Sequence, residues 1–144
     1  DSIIPQKGEA IELIIIDGES TDGTINILNR NSDFIDKYIS EPDNGIYDAW
    51  NKGMKLSTGR WIMFVGADDK IFPNTLLDYA EFASKIPAYI DLITAKSIIV
   101  DLSGRRIKKI GDSFIWSKYK KNMNIYIRAY IERLDFKSKK GFNN

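Results

Sequence analysis

Two apolar runs that each end in aspartate constrain this chain most. Glu12-Leu13-Ile14-Ile15-Ile16 leads into Asp17-Gly18-Glu19-Ser20-Thr21-Asp22-Gly23-Thr24, and Trp61-Ile62-Met63-Phe64-Val65 leads into Gly66-Ala67-Asp68-Asp69. Apolar runs of this length, bounded by Gly and Asp, read as strands of a parallel sheet buried on both faces. Ligands of open α/β sheets bind beyond the carboxyl ends of the strands, so both acidic tips are expected to face one crevice. Carboxylates gathered there repel one another unless a cation joins them, which suggests a hard metal ion and an anionic ligand.

Composition narrows the chemistry further. The 144 residues include no histidine and no cysteine. That excludes Ser-His-Asp and Cys-His nucleophile systems within the chain, histidine- or thiolate-bound zinc, and disulfides. A bound metal must take oxygen ligands, which favours Mg²⁺ or Mn²⁺, and a side-chain general base would be a carboxylate. The formal net charge is +1, so nothing global points to nucleic acid. Basic residues nevertheless crowd the chain from Arg105 onward, among them Lys118, Lys120, Lys121, Arg128, Arg133, Lys137, Lys139 and Lys140. A solvated surface is the favoured reading, with a patch for acidic lipid headgroups as the alternative. No stretch has the length of a transmembrane helix and no signal peptide is visible. The chain opens at Asp1 without an initiator Met and reads as an excised or processed piece.

The pattern along the chain alternates strand and helix. Strands are expected at Ile11 to Ile16, Lys37 to Ser40 and Trp61 to Val65. A short helix should run through Ile25, Ile27 and Leu28, and an amphipathic one from Ile46 to Lys55, where Ile46, Ala49, Trp50, Gly53 and Met54 recur at helical spacing. Pro73-Asn74-Thr75 should open a third helix with Leu76, Tyr79, Ala80 and Ala83 on its buried face. Ile90 to Ala95 and Ser97 to Asp101 read as strands, and Leu102-Ser103-Gly104-Arg105 as a hairpin turn into Arg106 to Ile110. This order predicts a doubly wound, mostly parallel α/β sheet with an antiparallel portion.

The motifs carry either structural or chemical readings. An Asp after a strand can cap the next helix; alternatively, Asp17 accepts a hydrogen bond from a nucleobase or ribose while Ser20 shapes the turn. Asp68 and Asp69 can form a solvated, capping loop; alternatively, Asp68 holds a divalent cation that neutralises a diphosphate. Asp43, Asn44 and Gly45 lie at a loop-to-helix junction, where free amides can face an anion. Ile46, Ala49 and Trp50 read as core, Asn51 as structural, and Lys52 as solvent-facing. No glycine-rich dinucleotide or P-loop motif is present.

Taken together, E-L-I-I-I-D-G-E-S-T-D-G-T, S-E-P-D-N-G-I-Y-D-A-W-N-K-G and S-T-G-R-W-I-M-F-V-G-A-D-D closely resemble family 2 glycosyltransferases of the GT-A fold. The resemblance implies a Rossmann-like sheet flanked by helices, a nucleotide-diphospho-sugar donor (commonly a UDP-sugar), Mn²⁺ or Mg²⁺, and inverting transfer to an acceptor hydroxyl of a glycan or lipid-linked molecule. It implies surface polysaccharide or glycan synthesis at the cytoplasmic face of a bacterial plasma membrane, with peripheral membrane contact and no nucleic acid. On the motif match, Asp68 is the metal ligand, and Asp17, Gly18, Ser20, Asp43, Asn44, Gly45 and Asp69 border the nucleotide-sugar. Gly66 stands where many relatives carry the first Asp of an Asp-x-Asp triplet, and Gly18 where many have a second Asp.

Ser2 to Gln6 is similar to the end of the family's first helix, so the family's first strand is expected to be missing. Residues 1–144 would form one partial domain, with 1–70 the donor half and 71–144 the start of the acceptor half. Met123 to Asn144 is similar to the segment leading into the acceptor site, with Tyr126-Ile127-Arg128 where relatives often show a histidine. Gly141 to Asn144 matches the approach to the catalytic base, expected beyond Asn144. The competing expectation is a truncated, non-catalytic donor-binding or relic domain. A sugar nucleotidyltransferase is disfavoured, because its glycine-rich basic loop is not seen.

Overall fold

The computed structural model describes residues 1–90 and 92–111 and the backbone of 129–132. The expectations for Lys118 to Arg128 and for 133–144 lie outside the described residues. Strand β1 (Ile14–Asp17) and strand β2 (Lys37–Ser40) pair in parallel, with Ile14 opposite Lys37 and Asp17 opposite Ser40. Helix α1 (Thr24–Arg30) makes the crossover between them. Helix α2 (Ile46–Leu56) follows β2 and packs back on β1, where Ile16 lies 3.5 Å from the position a Cβ on Gly53 would take. The predicted α2 ends one residue early, and the predicted second strand matches β2.

Strand β3 (Trp61–Met63) belongs to another ladder. It pairs antiparallel with β7 (Ala129–Glu132), which also pairs antiparallel with β4 (Leu92–Thr94), giving the order β3-β7-β4. Helix α3 (Thr75–Lys85) lies between β3 and β4 in the chain and buries Leu76 and Ala83. Strands β5 (Ser97–Val100) and β6 (Arg106–Ile110) form a separate hairpin with a register shift at Ile99/Val100. The α/β class therefore holds, with the described parallel pairing confined to β1 and β2 and the antiparallel portion larger than the hairpin alone. The β7 segment gave no clear period in sequence, so nothing local announced its place between β3 and β4.

Two expected strands are shorter than their apolar runs. Ile11 to Leu13 precede β1 because the Leu13 N–H donates to the Asp36 carboxylate (2.7 Å) instead of a ladder carbonyl. Phe64 and Val65 leave β3 and lead to the acidic turn. Both β1 and β3 are largely half-buried rather than buried on both faces. The described buried apolar core is small, comprising Leu28, Ile71, Leu76, Ala83 and Ile93.

Charged and polar side chains tie the elements together. Glu12 pairs with Lys37 and accepts from the Thr58 N–H (2.7 Å), while Lys37 also donates to the Leu56 carbonyl (2.9 Å) at the end of α2. Burial pushes the Glu12 carboxyl up, but the hydrogen bonds from Lys37 and Thr58 outweigh it and hold the group below the usual range. At the other end, Gln6 is buried and accepts from the Leu76 N–H (3.2 Å), and the Ser2 hydroxyl accepts from the Ile71 N–H (3.1 Å). The first residues thereby clasp the start of α3.

Gly45 precedes α2 with φ 99° and ψ 179°. That region is open essentially to glycine alone. Gly45→Ala is expected to lower stability by roughly 1–3 kcal/mol, read as a fall in the urea midpoint without a change in slope.

Candidate functional site

Parallel pairing places the carboxyl ends of β1 and β2 at one edge, and the last residue of each strand meets the other there. Asp17 is 6% exposed. Its Oδ2 accepts from the Ser20 N–H (3.0 Å) and from the Ser40 hydroxyl (2.7 Å). The hydrogen bonds from Ser20, then from Ser40, hold its carboxyl below the usual range against the opposing effect of burial. The strand ladder continues one step further, with the Glu41 N–H donating to the Asp17 carbonyl (3.1 Å). Asp17 caps no helix; Asp22 fills the local turn role before α1 by accepting from the Thr24 N–H and hydroxyl.

The loop after β2 closes over the loop after β1. A Cβ on Gly18 would sit 2.8 Å from Asp43 Oδ2, so any side chain here would push the Asp43 carboxylate aside. The Asp43 carboxylate occupies the space that a side chain on residue 18 would claim. Sequence placed Asp17, Gly18, Ser20 and Asp43 in one site, and the structure brings these four together.

Asn44 and Gly45 join the same loop, but their amides are not free as the junction suggested. The Asn44 N–H donates to Asp48 Oδ2 (3.1 Å) and the Gly45 N–H to Asp43 Oδ1 (2.8 Å). Carboxylates of the motif itself fill the two positions offered to an anion. Lys52 also differs from expectation. Its side chain is only 16% exposed, donates to the Pro42 carbonyl (2.7 Å), and pairs with Glu41 (3.0 Å) and Asp48 (3.6 Å). The hydrogen bond to Glu41 is the main reason its pKa is raised, with the Asp48 charge adding to it. Lys52 is a strap beneath the 41–45 loop rather than a solvated surface charge. The Asp48 to Lys52 spacing of four was the available signal, since such pairs meet on a helix face. Ser40, also missed, is marked only by its register with Asp17.

Lys52→Met should loosen this loop. The Asn44 and Gly45 amides are expected to exchange with deuterium about five- to tenfold faster, while Lys52→Arg restores protection. Unchanged exchange in Lys52→Met would show that the strap is not needed.

The third motif is linked to the second through aromatic rings. Trp50 of α2 stacks on Phe64 (centroids 4.5 Å apart, planes at 21°) and meets Tyr47 edge-on at 5.7 Å. The expectation of Trp50 as packing rather than ligand contact fits this, although Trp50 is half-buried. Phe64 leads directly into Gly66-Ala67-Asp68-Asp69. That segment is a tight turn in which the Asp69 N–H donates to the Gly66 carbonyl (3.1 Å). Asp68 Oδ1 and Asp69 Oδ2 lie 3.1 and 3.2 Å from where a Cβ on Gly66 would be. The two carboxylates thus converge over the bare Gly66 Cα.

No group of three or more acidic side chains comes together among the described residues in the way an all-protein metal cage requires. Asp68 and Asp69 offer one or two oxygens. That set fits a Mg²⁺-like ion which keeps several waters and is otherwise held by phosphate oxygens, and it does not fit a tightly caged structural metal.

The described residues thus present a buried acceptor at the end of β1, a strapped acidic loop after β2 and, following β3 in a separate ladder, an exposed carboxylate turn. The sequence matches the family described as "Glycosyl transferase family 2" over residues 1–139, and the chain belongs to that family. The family implies the GT-A fold. The chain is 40% identical over 86 residues to a PGL/p-HBAD biosynthesis glycosyltransferase of Mycobacterium bovis, covering 57% of this chain and 34% of that protein. It is 35% identical over 85 residues to a putative teichuronic acid biosynthesis glycosyltransferase of Bacillus subtilis, covering 56% and 33%. It is also 30% identical over 117 residues to a poly(ribitol-phosphate) beta-glucosyltransferase of Bacillus spizizenii, covering 76% and 18%. The chain spans about a third, or less, of the length of these relatives.

Proposed function

We propose that this chain forms the donor-binding part of a glycosyltransferase that moves a sugar from a nucleotide-diphospho-sugar, a UDP-sugar, to an acceptor hydroxyl with inversion. The product class is a surface polysaccharide or glycolipid, made at the cytoplasmic face of the membrane. The observation that carries the reading is the carboxyl edge of β1 and β2, where a buried, ionised Asp17 is held by Ser20 and Ser40 under the Asp43 loop. Ser20, Ser40 and the Glu19 backbone hold this carboxylate in place, and an N–H or O–H of the nucleoside would join them as a further donor to it. Gly18, Asn44 and Gly45 supply the wall beside it.

Asp68 is assigned as the ligand of Mn²⁺ or Mg²⁺, with Asp69 beside it towards the sugar. When bound, such an ion neutralises charge on the departing diphosphate. Asp68 and Asp69 orient it from the protein side, and Gly66 keeps the approach open. The proton of the acceptor hydroxyl is assigned to no described side chain. The same geometry also supports a donor-binding domain without turnover, so the two readings part at catalysis rather than at binding.

Calorimetry with UDP tests the first step. Binding is expected with Mn²⁺ or Mg²⁺ and lost with chelator. Absence of binding in both conditions overturns the donor assignment. Release of UDP from a UDP-sugar in the presence of acceptor distinguishes a transferase from a binding relic.

A further inference from the structure

We infer that the β5–β6 hairpin is a docking surface for a lipid bilayer rich in anionic headgroups. Among the described residues the hairpin packs chiefly on itself. Val100, Leu102 and Ile107 are each more than half exposed, Ile99 is 43% exposed, and Leu102 at the tip is fully exposed. Cations are threaded between them, with Arg105, Arg106, Lys108 and Lys109 following the turn and Lys96 preceding β5. Cross-strand register places Lys108 beside Ile99 and Arg106 beside Val100, so charge and apolar surface share both faces.

The tip is held in a fixed shape. Asp101, the hairpin's one carboxylate, accepts from the Ser103 N–H (3.0 Å), the Ser103 hydroxyl (2.6 Å) and the Arg105 N–H (2.9 Å), and it pairs with the Arg105 guanidinium at 3.1 Å. Its negative charge is therefore spent inside the turn, and the surface facing outward is basic. Leu102 is presented at the apex of that turn.

A solvated basic surface accounts for the lysines and arginines but not for four apolar side chains left in water among them. A two-stranded hairpin exposed on both faces is marginal by itself, which makes a partner surface more telling. An anionic membrane interface matches both components, since headgroups meet the cations and the acyl boundary receives Leu102 and its neighbours. No helix among the described residues is long and apolar enough to cross a membrane, so this contact would be peripheral. It does not depend on the sugar-transfer reading.

The test is co-sedimentation with vesicles of phosphatidylcholine alone and of phosphatidylcholine mixed with phosphatidylglycerol. The chain should partition to the mixed vesicles only and be released as salt rises. The double variant Lys108→Glu/Lys109→Glu should weaken partitioning by about tenfold or more, and Leu102→Ser should weaken it at unchanged net charge. Circular dichroism should be unchanged in both variants, because the altered side chains are exposed. Equal binding to both vesicle types, undiminished binding of the double variant, or a Leu102-dependent dimer in sedimentation velocity without vesicle binding would overturn the inference.

Discussion

Asp68→Ala is expected to abolish metal-dependent UDP binding while leaving the fold intact. The affinity measured with Mn²⁺ should fall by about a hundredfold or more, on the scale of the several kcal/mol that a bound metal contributes at a diphosphate. The large size follows from the sparse donor set. With Gly66 where many relatives carry a carboxylate, and no cluster of three acidic groups among the described residues, Asp68 has little help from the described side chains beyond its neighbour Asp69. Asp68 is exposed, so its removal orphans no buried group, and the urea midpoint should move by less than about 0.5 kcal/mol equivalent. Asp69→Ala should weaken binding less, because its carboxylate also accepts from the Gly66 N–H at 3.3 Å. Calorimetry that finds the same Mn²⁺ dependence in Asp68→Ala as in the native chain removes the metal assignment.

Asp17→Ala is expected to act on stability and binding together. It strips the acceptor from the Ser20 N–H and the Ser40 hydroxyl at a position only 6% exposed. Ser20 and Ser40 are exposed and can turn to water, so each lost bond costs about 1 kcal/mol, and a loss of roughly 1–3 kcal/mol is expected by urea unfolding, with UDP affinity also reduced. Asp17→Asn keeps an acceptor oxygen and should recover much of the stability, while removing the titration. Because the native carboxyl lies below its ordinary value of 3.8, the unfolded state binds the proton first as pH falls. The stabilisation by Asp17 is complete above that ordinary value and is lost as pH drops through the lower native one. Comparing unfolding free energies from pH 6 downward should show a shallower acid slope in Asp17→Asn. Equal slopes would mean that the carboxylate is not held in the folded protein as described.

Much of the site was readable because its parts are short and local. The turn residues around Asp17, the Pro42 to Gly45 breaker and the helical spacing after Ile46 each act within a few residues, and α2 and β2 fall where they predict. What escaped were features set by distant partners. Asp36 takes the Leu13 N–H and so delays β1, which no property of the isoleucine run reveals. Lys52 looks solvent-bound until the loop folds back to place Pro42 and Glu41 against it. The free amides expected at Asn44 and Gly45 are filled by Asp48 and Asp43, a competition between side chain and ligand that composition leaves open. The β3–β7–β4 ladder joins segments far apart in the chain, beyond the reach of any periodicity.

The clasp formed by Ser2 and Gln6 on the amides of Ile71 and Leu76 bears on the order in which the molecule assembles. β1, β2 and α2 complete their mutual contacts within the first 56 residues, and closing so short a loop is entropically cheap. The clasp instead spans sequence separations of 69 and 70 and must wait until residue 76 has left the ribosome. The unit of β1, β2 and α2 can therefore take shape before the segment that precedes it is fastened down.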